Sequence, residues 1–202
     1  MALLAAAAVL LTGCFTGKRP RFSDDPFPPG STTGNVQLDS LLKLLDSSPS
    51  GPATVAYTVL RKAGVVTTPA TVAVRGTDQA ITIGLVKFVD SAGTRQTCVD
   101  GTCSDQWLVQ KVSDTGVTPT FFNEQPARKI RRLAPALIGP VVSSVVEIGG
   151  ESAQCRSLPV TGGTATYCAY ESGLLAKMDD GDVLVTATQA KPSVDEAAFS
   201  AP

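Results

Sequence analysis

The chain has 202 residues, a formal net charge of -1, 43% hydrophobic and 17% charged residues, and no histidine. That charge provides no broad positive field for nucleic acid. The missing imidazole excludes the Ser-His-Asp triad and every histidine-containing zinc site, and the length suits one well-buried domain of about 160 residues once the two ends are discounted.

The chain opens "MALLAAAAVLLTGCFTGKRPRF". Its apolar run, residues 2–12, is too short to cross a hydrocarbon core of about 30 Å as a helix and has the size of a signal-peptide h-region. The closing "LTGC" resembles the lipobox of bacterial lipoproteins. That resemblance implies cleavage before Cys14, making 1–13 a lipoprotein signal peptide and Cys14 a diacylated first residue carrying palmitate-class chains. The protein is then expected on the extracytoplasmic face of the cell membrane, held by its lipid anchor, since two or more acyl chains anchor stably where one does not. Cys14 also accounts for the odd cysteine among Cys14, Cys98, Cys103, Cys155 and Cys168. No Lys or Arg precedes the apolar run, a departure from the usual signal peptide. "KRPR" at 18–21 reads either as an attraction to anionic headgroups or as a solvated charge cluster. Pro, Gly and small polar residues through 15–35 read as a flexible linker, so 14–35 is lipidated Cys plus tether and 36–202 the folded domain.

Within that domain Leu38, Leu41, Leu42 and Leu45 recur at helical spacing, and "SSPSGP" stops the helix. "ATVAYTVLRKA" (53–63), "PATVAVRG" (69–76) and "ITIGLVKFVD" (81–90) are rich in Val, Ile and Thr and read as three strands of an antiparallel meander. In "TCVDGTC", Asp100-Gly101 is a two-residue hairpin signal that sets Cys98 opposite Cys103 at a non-hydrogen-bonded pair, where side chains approach most closely. "CRSLPVTGGTATYC" turns about Thr161-Gly162 and sets Cys155 opposite Cys168 in the same way. Two cross-strand disulfides are expected. The rival readings, a four-cysteine metal site or a redox pair, call for spacings other than C-x4-C and C-x12-C. "PARKIRRLAPALIG" (126–139) reads as a helix with Pro126 at its first position. "PVVSSVVEIGG" (140–150) fits a short helix by Val141, Val145 and Ile148, or a strand by its β-branched content. Strands then follow at 151–158, 164–170, 174–178 and 182–190.

"ATVAYTV", the paired cysteines, "GGESAQC" leading to "YCAYESGLLAKM", and the ending "PSVDEAAFSAP" together resemble the LolA/LppX-like bacterial, and particularly actinobacterial, lipoproteins over residues 36–202. The two-disulfide pattern is a departure from the mycobacterial lipid carriers of that group. The resemblance implies an α+β fold, a curved antiparallel sheet forming an incomplete β-barrel plugged by helices. It further implies a concave face that holds acyl chains, and no enzymatic activity.

Chemistry outside that resemblance is sparse. Ser40 and Lys43 match S-x-x-K, yet the S-x-N and K-T-G partners of serine acyl enzymes are missing, so a surface pair on a helix is the reading. The acidic clusters at Asp24, Asp25 and at Asp179, Asp180, Asp182 lack the ligand spacing of a calcium loop and read as turns. The expected function is a membrane-anchored extracytoplasmic lipoprotein that binds or carries a hydrophobic ligand, a lipid. The alternative is an envelope interaction or sensor lipoprotein without cargo. Candidate ligand-lining residues are Val55, Tyr57, Val59, Ile81, Ile83 and Leu85 on the sheet with Ile130, Leu133 and Leu137 from the inserted helix. Arg128, Lys129, Arg131 and Arg132 are candidate headgroup contacts. No cofactor, metal or nucleic-acid partner is expected. Replacing Cys14 by Ser is expected to release the protein from membranes, measured by fractionation and by loss of the acyl mass.

Overall fold

The computed structural model describes residues 25–200. The expected signal peptide, Cys14, "KRPR" and the first part of the expected linker lie outside the described residues. Asn35 starts the leucine helix: its side-chain oxygen accepts the backbone N–H groups of Gln37 and Leu38 at 3.0 and 3.3 Å, satisfying donors that a helix start leaves open. The helix, α1 (Val36–Asp46), buries Leu38, Leu41, Leu42 and Leu45. Each such side chain contributes about 1.5–3 kcal/mol on leaving water. From residue 25 the end of the segment expected as a linker is docked on the fold. Asp25 pairs with Arg128 at 2.8 Å, Gly30 N–H donates to Asp46 at 3.1 Å, and Thr33 N–H donates to Asp39 at 2.7 Å. These bonds dock the end of the expected linker onto the two helices.

The strands are β1 (Ala53–Arg61), β2 (Val66–Arg75), β3 (Asp78–Ile83), β4 (Val86–Ser91), β5 (Thr94–Val99) and β6 (Thr102–Ser104). After a 3₁₀ segment at Val109–Thr115 and helix α2 (Glu124–Leu133) come β7 (Val142–Ile148), β8 (Glu151–Val160), β9 (Gly163–Tyr170), β10 (Leu175–Asp179) and β11 (Val183–Lys191). They form one antiparallel sheet of eleven strands in the order β6-β5-β4-β3-β2-β1-β11-β10-β9-β8-β7. Two meanders are thus joined by the first and last strands, and the sheet ends at β6 and β7 without closing. The incomplete barrel plugged by helices is the observed fold.

Three readings change at the level of elements. Residues 81–90 are two strands, because Gly84, at φ +59°, starts a two-residue turn that pairs Ile83 with Val86. Apolar alternation continues through Leu85 and hides that turn. The second helix begins at Glu124, capped by the side chain of Asn123, and stops at Leu133. Pro135 has no N–H for the Arg131 carbonyl and its ring crowds it, so Ala134–Ala136 is 3₁₀ and Leu137 bridges to Val160. Residues 142–148 are strand, the β-branched content prevailing over the helical spacing.

The core fills the space between sheet and helices. Tyr57 from β1 meets Phe121 edge-to-face at 5.1 Å, and Phe121 meets Phe122 at 6.2 Å. The Tyr57 hydroxyl donates to the Leu175 carbonyl at 2.8 Å, while Leu175 N–H donates to Phe122 at 2.8 Å, so sheet and plug are tied through β10. Burial pushes the Tyr57 phenol well above its ordinary pKa, keeping it a neutral donor. Gly173, at φ +86°, lies where a Cβ would come within 2.9 Å of the Leu44 carbonyl, so only glycine lets the β9–β10 turn reach the end of α1. On the outer face Val194, Ala198 and Phe199 cover Ala73, Ala80 and Val89, with Arg75 stacked 4.8 Å over Phe199.

Both expected disulfides are present, Cys98 to Cys103 and Cys155 to Cys168, each joining directly opposed strand residues. The second closes the longer loop, 13 residues against 5. Loop-closure entropy then predicts a loss of about 3 kcal/mol for the Cys155→Ala/Cys168→Ala double variant and a smaller one for Cys98→Ala/Cys103→Ala. Urea unfolding midpoints check the order.

Candidate functional site

A cleft of about 640 Å³ lies between the end of α1, the β2–β3 hairpin and the segment before α2. This is within the range of small-ligand and peptide sites, about 300–1,000 Å³. The end of α1 forms one wall, the β2–β3 hairpin a second, and the segment before α2 a third. Leu45, Val74, Trp107 and Phe122 give it an apolar floor, and Asp46, Asp78, Asp90, Arg95 and Glu124 a charged rim. Trp107 is the chain's single tryptophan. It follows β6, where the Thr97 hydroxyl donates to the Gln106 carbonyl at 2.7 Å and accepts the Leu108 N–H at 2.9 Å, pinning the loop on both sides. Phe88 supports the indole at 5.3 Å and the Arg95 guanidinium lies 5.3 Å over it.

Most rim charges are paired within the fold. Asp90 accepts from Arg95 at 2.7 Å and Asp46 from the buried Arg131, which also donates to the Ser31 carbonyl at 2.8 Å. Asp78 accepts from Arg75 at 2.9 Å and from Ala92 N–H at 3.2 Å. The Arg75 hydrogen bond, then that of Ala92, holds the Asp78 carboxyl below the usual carboxylate range. The rim therefore presents local dipoles more than a net charge. It suits a partner that is apolar where it enters and polar where it leaves.

The residues expected to line a ligand space lie away from this cleft. Val55, Tyr57, Val59, Ile81, Ile83 and Ile130 are at most 2% exposed and belong to the packed core, with Leu133 and Leu137 half-buried against it. None of these borders the cleft. Leu85 is a correction: it is 77% exposed at the β3–β4 turn, where Gly84 turns the chain before Leu85 can point inward. The basic helix carries its four cations at different depths. Arg131 is buried against Asp46, Lys129 is paired with Asp180, and Arg128 is paired with Asp25, which leaves Arg132 as the one of the four drawn into none of these ion pairs. Four cations on one helix require counter-charges to pack on a sheet, and α1, the preceding segment and the β10–β11 turn supply them. Trp107 escaped the sequence reading. Its signal is an aromatic residue inside the polar loop "CSDQWL", where burial against a strand is not expected.

Ser40 donates to the Gln37 carbonyl at 2.8 Å and accepts from Arg156 at 2.9 Å. Its bonds go to the helix and to Arg156, not to Lys43. Among the described residues no three His, Cys, Asp or Glu side chains gather as metal ligands.

No family model matches the chain, and no curated protein matches it in sequence. Solved structures do. MucB aligns with a TM-score of 0.56 at 14% identity, over 84% of this chain and 64% of that one. The complex of MucA and MucB from Pseudomonas aeruginosa aligns at 0.47 and 14%, over 82% and 61%, and LprF from Mycobacterium bovis at 0.33 and 12%, over 81% and 96%. The chain spans less than two thirds of the MucB chains. At this identity the likeness to MucB is one of fold. The open eleven-stranded sheet with its helical plug is shared with MucB at the level of fold, and it is the incomplete barrel that the resemblance to LolA/LppX-like lipoproteins implies.

Since the folded pKa of Asp78 is depressed, its contribution to hairpin stability is present above the ordinary carboxylate value and is lost as pH falls through the lowered one. An NMR titration of the Asp78 carboxyl is expected to show a midpoint below the usual range, and Arg75→Gln to move it upward.

Proposed function

We propose that the protein is an extracytoplasmic envelope lipoprotein, anchored through Cys14, that docks an apolar segment of a protein partner in the Trp107 cleft and has no enzymatic role. One observation carries the reading: Tyr57, Phe121, Phe122 and Ile130 occupy the concave face, each at most 2% exposed. A carrier of acyl chains needs that face emptied of bulky side chains, and separating these would expose aromatic surface at a cost of several kcal/mol. Beside that packed face the cleft offers the half-buried Trp107, bounded by polar groups that fix orientation, as binding sites for side chains are built. Lipid cargo inside the half-barrel is the competing reading.

A photo-crosslinking amino acid at Thr77, on the cleft rim, is expected to capture an envelope protein, while the same probe at exposed Val65 captures none. Native mass spectrometry of protein purified from membranes is expected to show the anchored chain with two disulfides. A further lipid within the folded domain, or equal capture from both positions, would return the choice to the carrier.

A further inference from the structure

The two edges of the sheet are built differently. β6 has three residues, Thr-Cys-Ser, tethered by Cys98–Cys103. Short, polar and cross-linked, it is a poor template for another strand. β7 has seven residues in regular register with β8 and no bulge, proline or lysine. Val142, Val145 and Val146 are 60%, 70% and 45% exposed, and Ile138 just before them 68%. The strand is held firmly in place: Tyr170 donates to the Ile148 carbonyl at 2.8 Å, and Ala190 N–H donates to Gly149 at 2.9 Å.

The direction of its free hydrogen-bonding groups follows from the neighbouring disulfide. The Cα atoms of Cys155 and Cys168 are 4.0 Å apart. That is the close spacing of a non-hydrogen-bonded pair, about 4.5 Å against about 5.5 Å. Cys155 therefore directs its N–H and C=O away from β9 and towards Ser144, its partner on β7. Alternation then points the N–H and C=O of Ser143, Val145 and Glu147 off the open side of the sheet. The two-residue Gly149-Gly150 turn, closing on Ile148 and Glu151, gives the same phase. None of these outward groups bonds another part of the described chain outside the sheet.

We propose that β7 is a self-association edge, where a second copy of this chain adds its own β7 antiparallel about a two-fold axis through Val145. In that register Val145 faces Val145 and Ser143 faces Glu147, so every outward N–H and C=O meets a complementary group of the other copy. Glu147, the only charge on the strand, meets a serine and not a second carboxylate, which removes the like-charge penalty of directly opposed residues. Val142 lies opposite Ile148 and Ser144 opposite Val146, extending the apolar contact. The pattern is its own complement, and this is the argument for a second copy over an unrelated strand. An isologous contact of this kind closes at two copies and uses up the edge.

Sedimentation equilibrium of the full chain across a concentration series, with residue-resolved amide exchange, tests this. A monomer–dimer equilibrium is expected, with protection of Ser143, Val145 and Glu147 rising with dimer fraction while Ser144 and Val146 stay protected throughout. Val145→Lys sets like charges across the axis and Ser143→Pro removes an outward donor without touching the β8 ladder. Each is expected to weaken the dimer at least tenfold while the thermal transition recorded at concentrations where only monomer is present stays unchanged. A monomer at every concentration, a dimer indifferent to both variants, or protection of these amides only on addition of a different protein overturns the proposal.

Discussion

The pairing of β1 with β11 is the contact on which the remainder of the molecule rests. Each meander is continuous in sequence and holds itself by hairpins. The two halves meet along one antiparallel ladder running from Thr54 opposite Lys191 to Arg61 opposite Val183. A register shift between Ala56 and Tyr57 sets Tyr57 opposite Ala187. The small partner leaves room for the phenol to reach the Leu175 carbonyl and for Phe121 to stack on its ring. A ladder formed by residues over a hundred positions apart costs chain entropy before it returns any contact, and the packing of the plug on it helps to offset that cost. Sheet, plug and α1 are therefore one cooperative core.

That same core decides where binding surface remains. The half-barrel geometry offers a concave face, and here aromatic and leucine side chains take it up. A cleft opens where α1 ends beside the β2–β3 hairpin. The ion pairs of Asp46, Asp78 and Asp90 each neutralise a rim carboxylate. They also fix the walls: Arg131 joins α2 to α1, and Arg75 joins the hairpin to the C-terminal segment at Glu196. Partly exposed pairs like Asp90–Arg95 add little stability, but the buried Arg131 must keep its partners, since an unpaired charge there is costly.

Much of the architecture was legible in local chemistry. The leucine stripe of α1, the Asp100-Gly101 hairpin and both cystine registers depend on neighbours a few residues away, and each appears as expected. Failures cluster where a local signal is two-sided. Alternation ran through Gly84 without marking a turn, and Val141, Val145 and Ile148 matched both periods. The ion pairs of α2 were not legible because its counter-charges, Asp25, Asp46 and Asp180, are distant in sequence.

The sequence alone determined the elements and their hairpin partners, because turn residues, capping groups and side-chain period act over a few bonds. It also carries "LTGC", the stretch resembling a lipobox on which the proposed anchor rests. Only the tertiary structure decided that the apolar strand faces are filled and not lined, that Leu85 faces solvent, that Trp107 floors a cleft, and that β7 is left without a second neighbour. Those outcomes depend on which distant surfaces meet, and burial of a valine looks the same in sequence whether a side chain, a ligand or a second strand covers it.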